Sequence, residues 1–77
     1  MEADFLDLFA RALEREPGTV QMADSFWDYE EWDSLTVLCL LEALNERYEL
    51  TIPRADLMEL RTVGEMYAYV MGNRRNG

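Results

Sequence analysis

Asp33-Ser34-Leu35-Thr36-Val37-Leu38-Cys39-Leu40-Leu41-Glu42-Ala43-Leu44-Asn45-Glu46-Arg47-Tyr48-Glu49-Leu50-Thr51-Ile52-Pro53 is the stretch on which the fold turns. Its spacing predicts a helix over residues 34–49, with Asp33 and Ser34 as good capping residues at its start. Leu35, Val37 to Leu41, Ala43, Leu44 and Tyr48 make an apolar stripe too wide for one buried face. Either the helix is central, or part of that surface is left for a partner.

On the C-terminal side, Ile52-Pro53 breaks the helix. Proline suits a first helical position, so a short third helix is expected from about Pro53 to Leu60, with Leu57 and Leu60 inward. Thr62-Val63-Gly64-Glu65 has capping-box spacing and predicts a last helix over about 63–71. Val63, Met66, Tyr67 and Val70 form its core face, and Gly72-Asn73 supplies the stop. On the N-terminal side, Phe5, Leu6, Phe9, Ala12 and Leu13 mark an amphipathic helix over residues 3–15, ended by Pro17-Gly18. Residues 16–33 lack periodicity and form a loop longer than most, self-packed or functional. Val20, Met22, Phe26 and Trp27 are its expected anchors. Its second half carries Asp24, Asp28, Glu30, Glu31 and Asp33 with no base among them. There are no repeats and no strand-like alternation. The expected fold is an all-α four-helix bundle, with three principal helices and a short third one. It forms a single domain over 1–77, with its core at about 3–71 and a flexible tail over 72–77.

The chain has 77 residues, of which 49% are apolar, too many for a disordered acidic tail. A domain of this length buries only about 60% of its unfolded surface, which leaves little room for a deep enclosed pocket. Sixteen acids against seven bases, all arginine, give a net charge of -9. That argues against nucleic acid and anionic membranes, and for a basic protein partner. The absence of histidine removes the usual catalytic triads and dyads, so no catalytic residue is assigned and the chain is not expected to be an enzyme. Cys39 stands alone, so it forms no internal disulfide or cysteine-rich zinc site. The loop acids lack the spacing and the central glycine of an EF-hand, so no metal site is assigned. The longest apolar run, Val37 to Leu41, is far short of the roughly 20 residues of a membrane span. The acidic N-terminus has the wrong sign for a signal peptide. A soluble, cytoplasmic monomer is the expectation.

Glu31-Trp32-Asp33-Ser34-Leu35 carries the most functional information. Asp-Ser-Leu alone is a weak signal, because a serine at a helix start commonly only caps it. Its setting makes it specific. A first helix, a long acidic loop, Asp33-Ser34-Leu35 opening a leucine-rich helix, the Glu46 to Pro53 segment and a Thr62-Val63 start to the last helix follow in order. In this the sequence resembles the acyl carrier protein family over about residues 3–71. The resemblance implies that Ser34 receives a 4'-phosphopantetheine arm from coenzyme A, joined by a phosphopantetheinyl transferase. It implies that Asp33 and Leu35 meet that transferase, and that the arm's thiol carries an acyl or aminoacyl group as a thioester. The implied partners are an acyl or aminoacyl ligase and a downstream transferase or synthase. Trp32, Leu38, Glu42 and Glu46 are the candidate partner contacts.

The sequence departs from carriers of general fatty acid synthesis. Thr36, Cys39 and Arg54 stand where acids are common. Residues 1–33 hold 10 acids and 2 bases (-8), and residues 34–77 hold 6 acids and 5 bases (-1). Trp32 before Asp33 also looks like the carriers of specialised pathways. Leu35 is expected at the surface, whereas Leu38 reads as core or as a contact. Cys39 reads as a small apolar filler. Trp27 reads as a loop anchor, and Trp32 as a contact for the arm or a partner. The competing reading is an unmodified acidic interaction module in which Ser34 only caps a helix.

Overall fold

The computed structural model describes residues 2–74. Four α-helices follow in chain order: α1 (Glu2–Ala12), α2 (Ser34–Tyr48), α3 (Arg54–Leu57) and α4 (Val63–Asn73), with a 3-10 turn at Phe26–Asp28. Among the described residues the only strand-like feature is one isolated bridge, Ser25 to Thr62. The fold is therefore the expected all-α bundle. The expected tail is helical at Gly72 and Asn73, and residues 75–77 lie outside the described residues.

α1 buries Phe5, Phe9 and Ala10, and Leu13 just beyond its end, against α2's Leu40, Leu44 and Tyr48 and α4's Val63, Met66 and Val70. The i, i+4 spacing that predicts these helices is what brings one apolar face of each into the common core. α1 stops earlier than the sequence suggests. Pro17-Gly18 does not end it; Glu14 does, in the left-handed region at φ 58. The Arg15 N–H reaches the Ala10 carbonyl (2.8 Å) and the Glu14 N–H reaches the Arg11 carbonyl (3.0 Å). This is a Schellman ending, with glutamate where glycine is usual.

The loop between α1 and α2 is self-packed. Val20 and Phe26 are buried and Met22 is half-buried, as expected of anchors. The Val63 N–H donates to the Asp24 carbonyl (2.9 Å) and the Gly64 N–H to the Met22 carbonyl (2.8 Å), stitching the loop to the start of α4. Glycine is needed there, since a Cβ at residue 64 would stand 3.1 Å from the Met22 carbonyl oxygen. α4 opens with the predicted capping box: the Glu65 N–H donates to Thr62 Oγ1 at 3.0 Å, and the Thr62 N–H to Glu65 Oε1 at 3.4 Å. Tyr67 is half-buried on its core face, with its ring 5.3 Å from that of Phe5.

α3 is shorter than expected. Pro53 is its cap rather than its first residue, and beyond Leu57 the chain continues as turns to Leu60, which is only half-buried. Four residues cannot hold a helix alone. This one is fixed by the burial of Leu57 and by the Tyr69 hydroxyl donating to Asp56 Oδ2 at 2.7 Å.

Candidate functional site

The site is built at the first turn of α2. Asp33 is the N-cap, in extended conformation, and its Oδ1 accepts the Thr36 N–H at 2.8 Å. Hydrogen bonds from Thr36, the backbone N–H first, hold the Asp33 carboxyl below its ordinary value. Ser34 is the first helical residue and is exposed. The competing reading of Ser34 as the helix cap therefore fails, because Asp33 fills that role and leaves the serine hydroxyl uncommitted. No acid lies in α2's first turn, so the one carboxylate at this helix end is the N-cap Asp33, which engages the Thr36 N–H.

A groove of about 470 Å³ begins at Ser34 and runs between α2 and α3. Its walls are mostly apolar, with Val37, Leu38 and Leu41 from α2 facing Leu57 and Met58. At 1.5 Å of rise per residue, Leu41 lies about 10 Å along α2 from Ser34. Trp27 and Trp32 close the Ser34 end, their rings edge-to-face at 5.5 Å. Both tryptophans line the groove, at different degrees of burial. Trp32 is the half-buried one, 4.6 Å from the Phe26 ring and stacked on Phe9 at 6.3 Å. Trp27, read as an anchor, is 38% exposed, and its Nε1 donates to the Leu60 carbonyl at 2.6 Å. It thus fastens the loop to the segment after α3 while presenting a face to the groove.

The wide apolar stripe of α2 resolves in favour of exposure. Leu35 is 71% exposed and Leu38 is 57% exposed, so Leu38 is not core. Met58, just beyond α3 and 60% exposed on the other side of the groove, extends this apolar rim and went unsuspected, since a lone methionine in so short a segment carries no periodicity. Glu42 and Glu46 are exposed further along α2. Cys39 is also exposed, so it fills no core space. Arg54 lines the groove as well. Ser34, Asp33, Trp32 and Leu38 are thus brought to one groove, whereas Leu35, Glu42 and Glu46 lie outside its lining.

Two of the loop acids are engaged within the chain. Asp24 Oδ2 accepts the Tyr29 hydroxyl at 2.7 Å and the Gln21 N–H at 3.1 Å, and Glu31 pairs with Arg15 at 3.1 Å. Burial first, and then the Asp24 carboxylate, pushes the Tyr29 phenol far above its usual range, so it remains a donor. Among the described residues no cluster of Cys, Asp or Glu is arranged to hold a metal ion, and no helix is long and apolar enough to cross a membrane.

This arrangement suits a covalently attached phosphate. It offers a free hydroxyl, the positive end of a fifteen-residue helix without first-turn acids, and an apolar groove beside it. The chain matches the family model described as the phosphopantetheine attachment site over residues 3–70. It is 36% identical to the acyl carrier protein of Rhodococcus erythropolis over 55 residues, which are 71% of this chain and 60% of that protein. It is 38% identical to the meromycolate extension acyl carrier protein of Mycolicibacterium aurum over 55 residues, 71% of this chain and 57% of that one. It therefore spans about 60% of the length of these two relatives. Against the acyl carrier protein of Kineococcus radiotolerans it is 32% identical over 73 residues, 90% of either chain. With the helical bundle and the exposed serine at the start of α2, these matches establish that the chain belongs to the phosphopantetheine-attachment family of the acyl carrier proteins.

Proposed function

We propose that Ser34 is the attachment point of the phosphopantetheine arm and that the chain carries acyl or aminoacyl groups between enzymes. The observation that carries this reading is the division of labour at the start of α2. Asp33 caps the helix, and Ser34 presents a free, exposed hydroxyl at the mouth of an apolar groove. In the attachment step the Ser34 Oγ–phosphorus bond forms, the pyrophosphate bond of coenzyme A breaks, and the nucleotide half leaves. The hydroxyl proton passes to a base on the transferase, so the chain needs no histidine of its own. When bound, the arm supplies a thiol for a thioester.

The chain's own residues do the rest. The first-turn N–H groups and the dipole of α2 favour the phosphate. Leu35 and Leu38 give a partner an apolar foothold beside the serine, and Glu42 and Glu46 give it charge to read. Trp32, half-buried against Phe9 and Phe26, lines the groove beside the serine. The partners are a phosphopantetheinyl transferase, an acyl or aminoacyl ligase, and a downstream transferase or synthase, in a specialised pathway of the cytoplasm. The concentration of acids before Ser34 rather than along α2 supports that specialisation.

Incubation with coenzyme A, magnesium and a broad-specificity phosphopantetheinyl transferase, followed by intact mass, tests the assignment. One arm is expected on wild type and none on Ser34→Ala. A wild-type chain that stays unmodified beside a labelled control carrier overturns it.

A further inference from the structure

Arg54 opens α3 and lines the groove that begins at Ser34. It is the only base among the groove's lining residues. Asp33, the only acid there, already accepts the Thr36 N–H. Arg15 and Arg47 have carboxylate partners in Glu31 and Asp4. The Arg54 side chain has no ion pair or hydrogen bond among the described residues.

The path of the chain sets where this charge sits. After Tyr48 the chain turns through the buried Leu50 and Ile52 and enters α3. The segment after α3 returns to the 3-10 turn at Phe26–Asp28, since the Leu60 carbonyl accepts Trp27 Nε1 and the Arg61 carbonyl accepts the Phe26 N–H at 3.2 Å, and the Trp27 ring lies 5.5 Å from that of Trp32 beside the start of α2. α3 thus lies between the end of α2 and that turn, and Arg54 at its start lines the groove together with Leu57 and Met58 at its other end. The apolar walls of the same groove include Val37, Leu41, Ile52 and Leu57.

We propose that Arg54 selects the cargo, receiving a carboxylate at the far end of an acyl group whose body lies along the apolar walls. This rests on the reading of Ser34 as the arm's attachment point. A guanidinium presents a planar fork of donors that matches a carboxylate with two parallel bonds. The chain as a whole, at -9, repels anions. One unpaired cation within the groove therefore distinguishes a carboxylated acyl group from a neutral one of the same length.

The test loads the full chain, with a broad-specificity transferase, from two acyl-coenzyme A thioesters: a short dicarboxylic one and a neutral one of equal length. Intact mass first confirms loading and its loss in Ser34→Ala. The rate of thioester cleavage by hydroxylamine is then compared in wild type, Arg54→Met, which keeps the apolar stem, and Arg54→Lys. Arg54→Met should release the dicarboxylic cargo about three- to fivefold faster than wild type, the effect a solvent-exposed ion pair supports, and leave the neutral cargo unchanged. Arg54→Lys should keep part of the protection, and salt should erode it. Equal effects of Arg54→Met on both cargoes overturn the assignment. A phosphorus-31 shift of the unloaded arm that moves in Arg54→Met also overturns it, placing the guanidinium on the phosphodiester instead. A chain that accepts no arm sinks the Ser34 reading itself, whereas a loaded chain indifferent to Arg54 sinks only this inference.

Discussion

Asp33 and Ser34 are neighbours with separable duties. Asp33→Ala removes the acceptor of the Thr36 N–H and should lower the melting temperature. Asp33→Asn keeps an acceptor and should stay near wild type at neutral pH. The pH dependence separates the charge of the Asp33 carboxylate from its part as an acceptor. The folded Asp33 carboxyl lies below its ordinary 3.8, so its stabilisation is complete above that value and is lost as pH falls through the folded value. Thermal melts between about pH 5 and 3 should therefore fall less steeply for Asp33→Asn than for wild type; parallel curves would refute this. At this scale the sequence is only half legible. The motif points to Ser34, but it cannot say which of two good capping residues is the cap, because the answer is a backbone register. Nor can it rank the tryptophans. Trp27 finds its partner in the Leu60 carbonyl, 33 residues away, and the aperiodic loop gives no face by which to predict that.

The elements are more legible, because helical periodicity and capping are local. α2 and α4 begin where their caps place them. Their ends are less so, since a left-handed residue leaves a sequence signal only when it is glycine. Glu14 after α1 and Glu49 after α2 both stand at positive φ, 58 and 56. An L-residue there is strained by roughly 1 kcal/mol relative to glycine. Glu14→Gly and Glu49→Gly are each expected to raise unfolding free energy by about that amount in urea titrations, despite removing a side chain. A loss in either would mean that the carboxylate makes a compensating interaction. α3 is the element that depends most on distant contacts. Trp27→Phe keeps the ring but deletes the hydrogen bond to the Leu60 carbonyl, a loss of about 1 kcal/mol. Hydrogen exchange should then rise at residues 56–60 and stay unchanged in α1 and α2. A uniform rise would mean that the bond supports the whole bundle instead.

Across the whole molecule, self-repulsion among its acids opposes the fold at a net charge of -9. Ten of the sixteen acids precede Ser34, and several crowd the long loop. The sequence shows that loop as a run of acids with no base. The bundle brings one from outside, from just beyond the end of α1. Arg15 pairs with Glu31 at 3.1 Å, lies over the Tyr29 ring at 4.1 Å, and donates to the Thr19 carbonyl and Oγ1, each at 3.3 Å. It ties the first residues of the loop to the last, adding to the buried Val20 and Phe26 and the backbone bonds to α4 that hold this segment against the core. Periodicity cannot reveal such a contact, because the Schellman turn at Glu14 decides where Arg15 points. The pair is partly exposed, at 22% and 39%, so its Coulomb energy is modest. With the cation–π contact added, Arg15→Met should cost about 1–2 kcal/mol. Arg15→Lys should recover only part of that, since an ammonium keeps the charge but not the planar stacking. Salt separates the two contributions. Raising ionic strength from about 10 mM to 150 mM screens the repulsion among the acids and should stabilise wild type. It should stabilise Arg15→Met more, because that variant has lost the one cation lodged in the loop. An equal salt response in the two would mean that Arg15 acts by packing alone, and that the loop holds its shape without charge compensation.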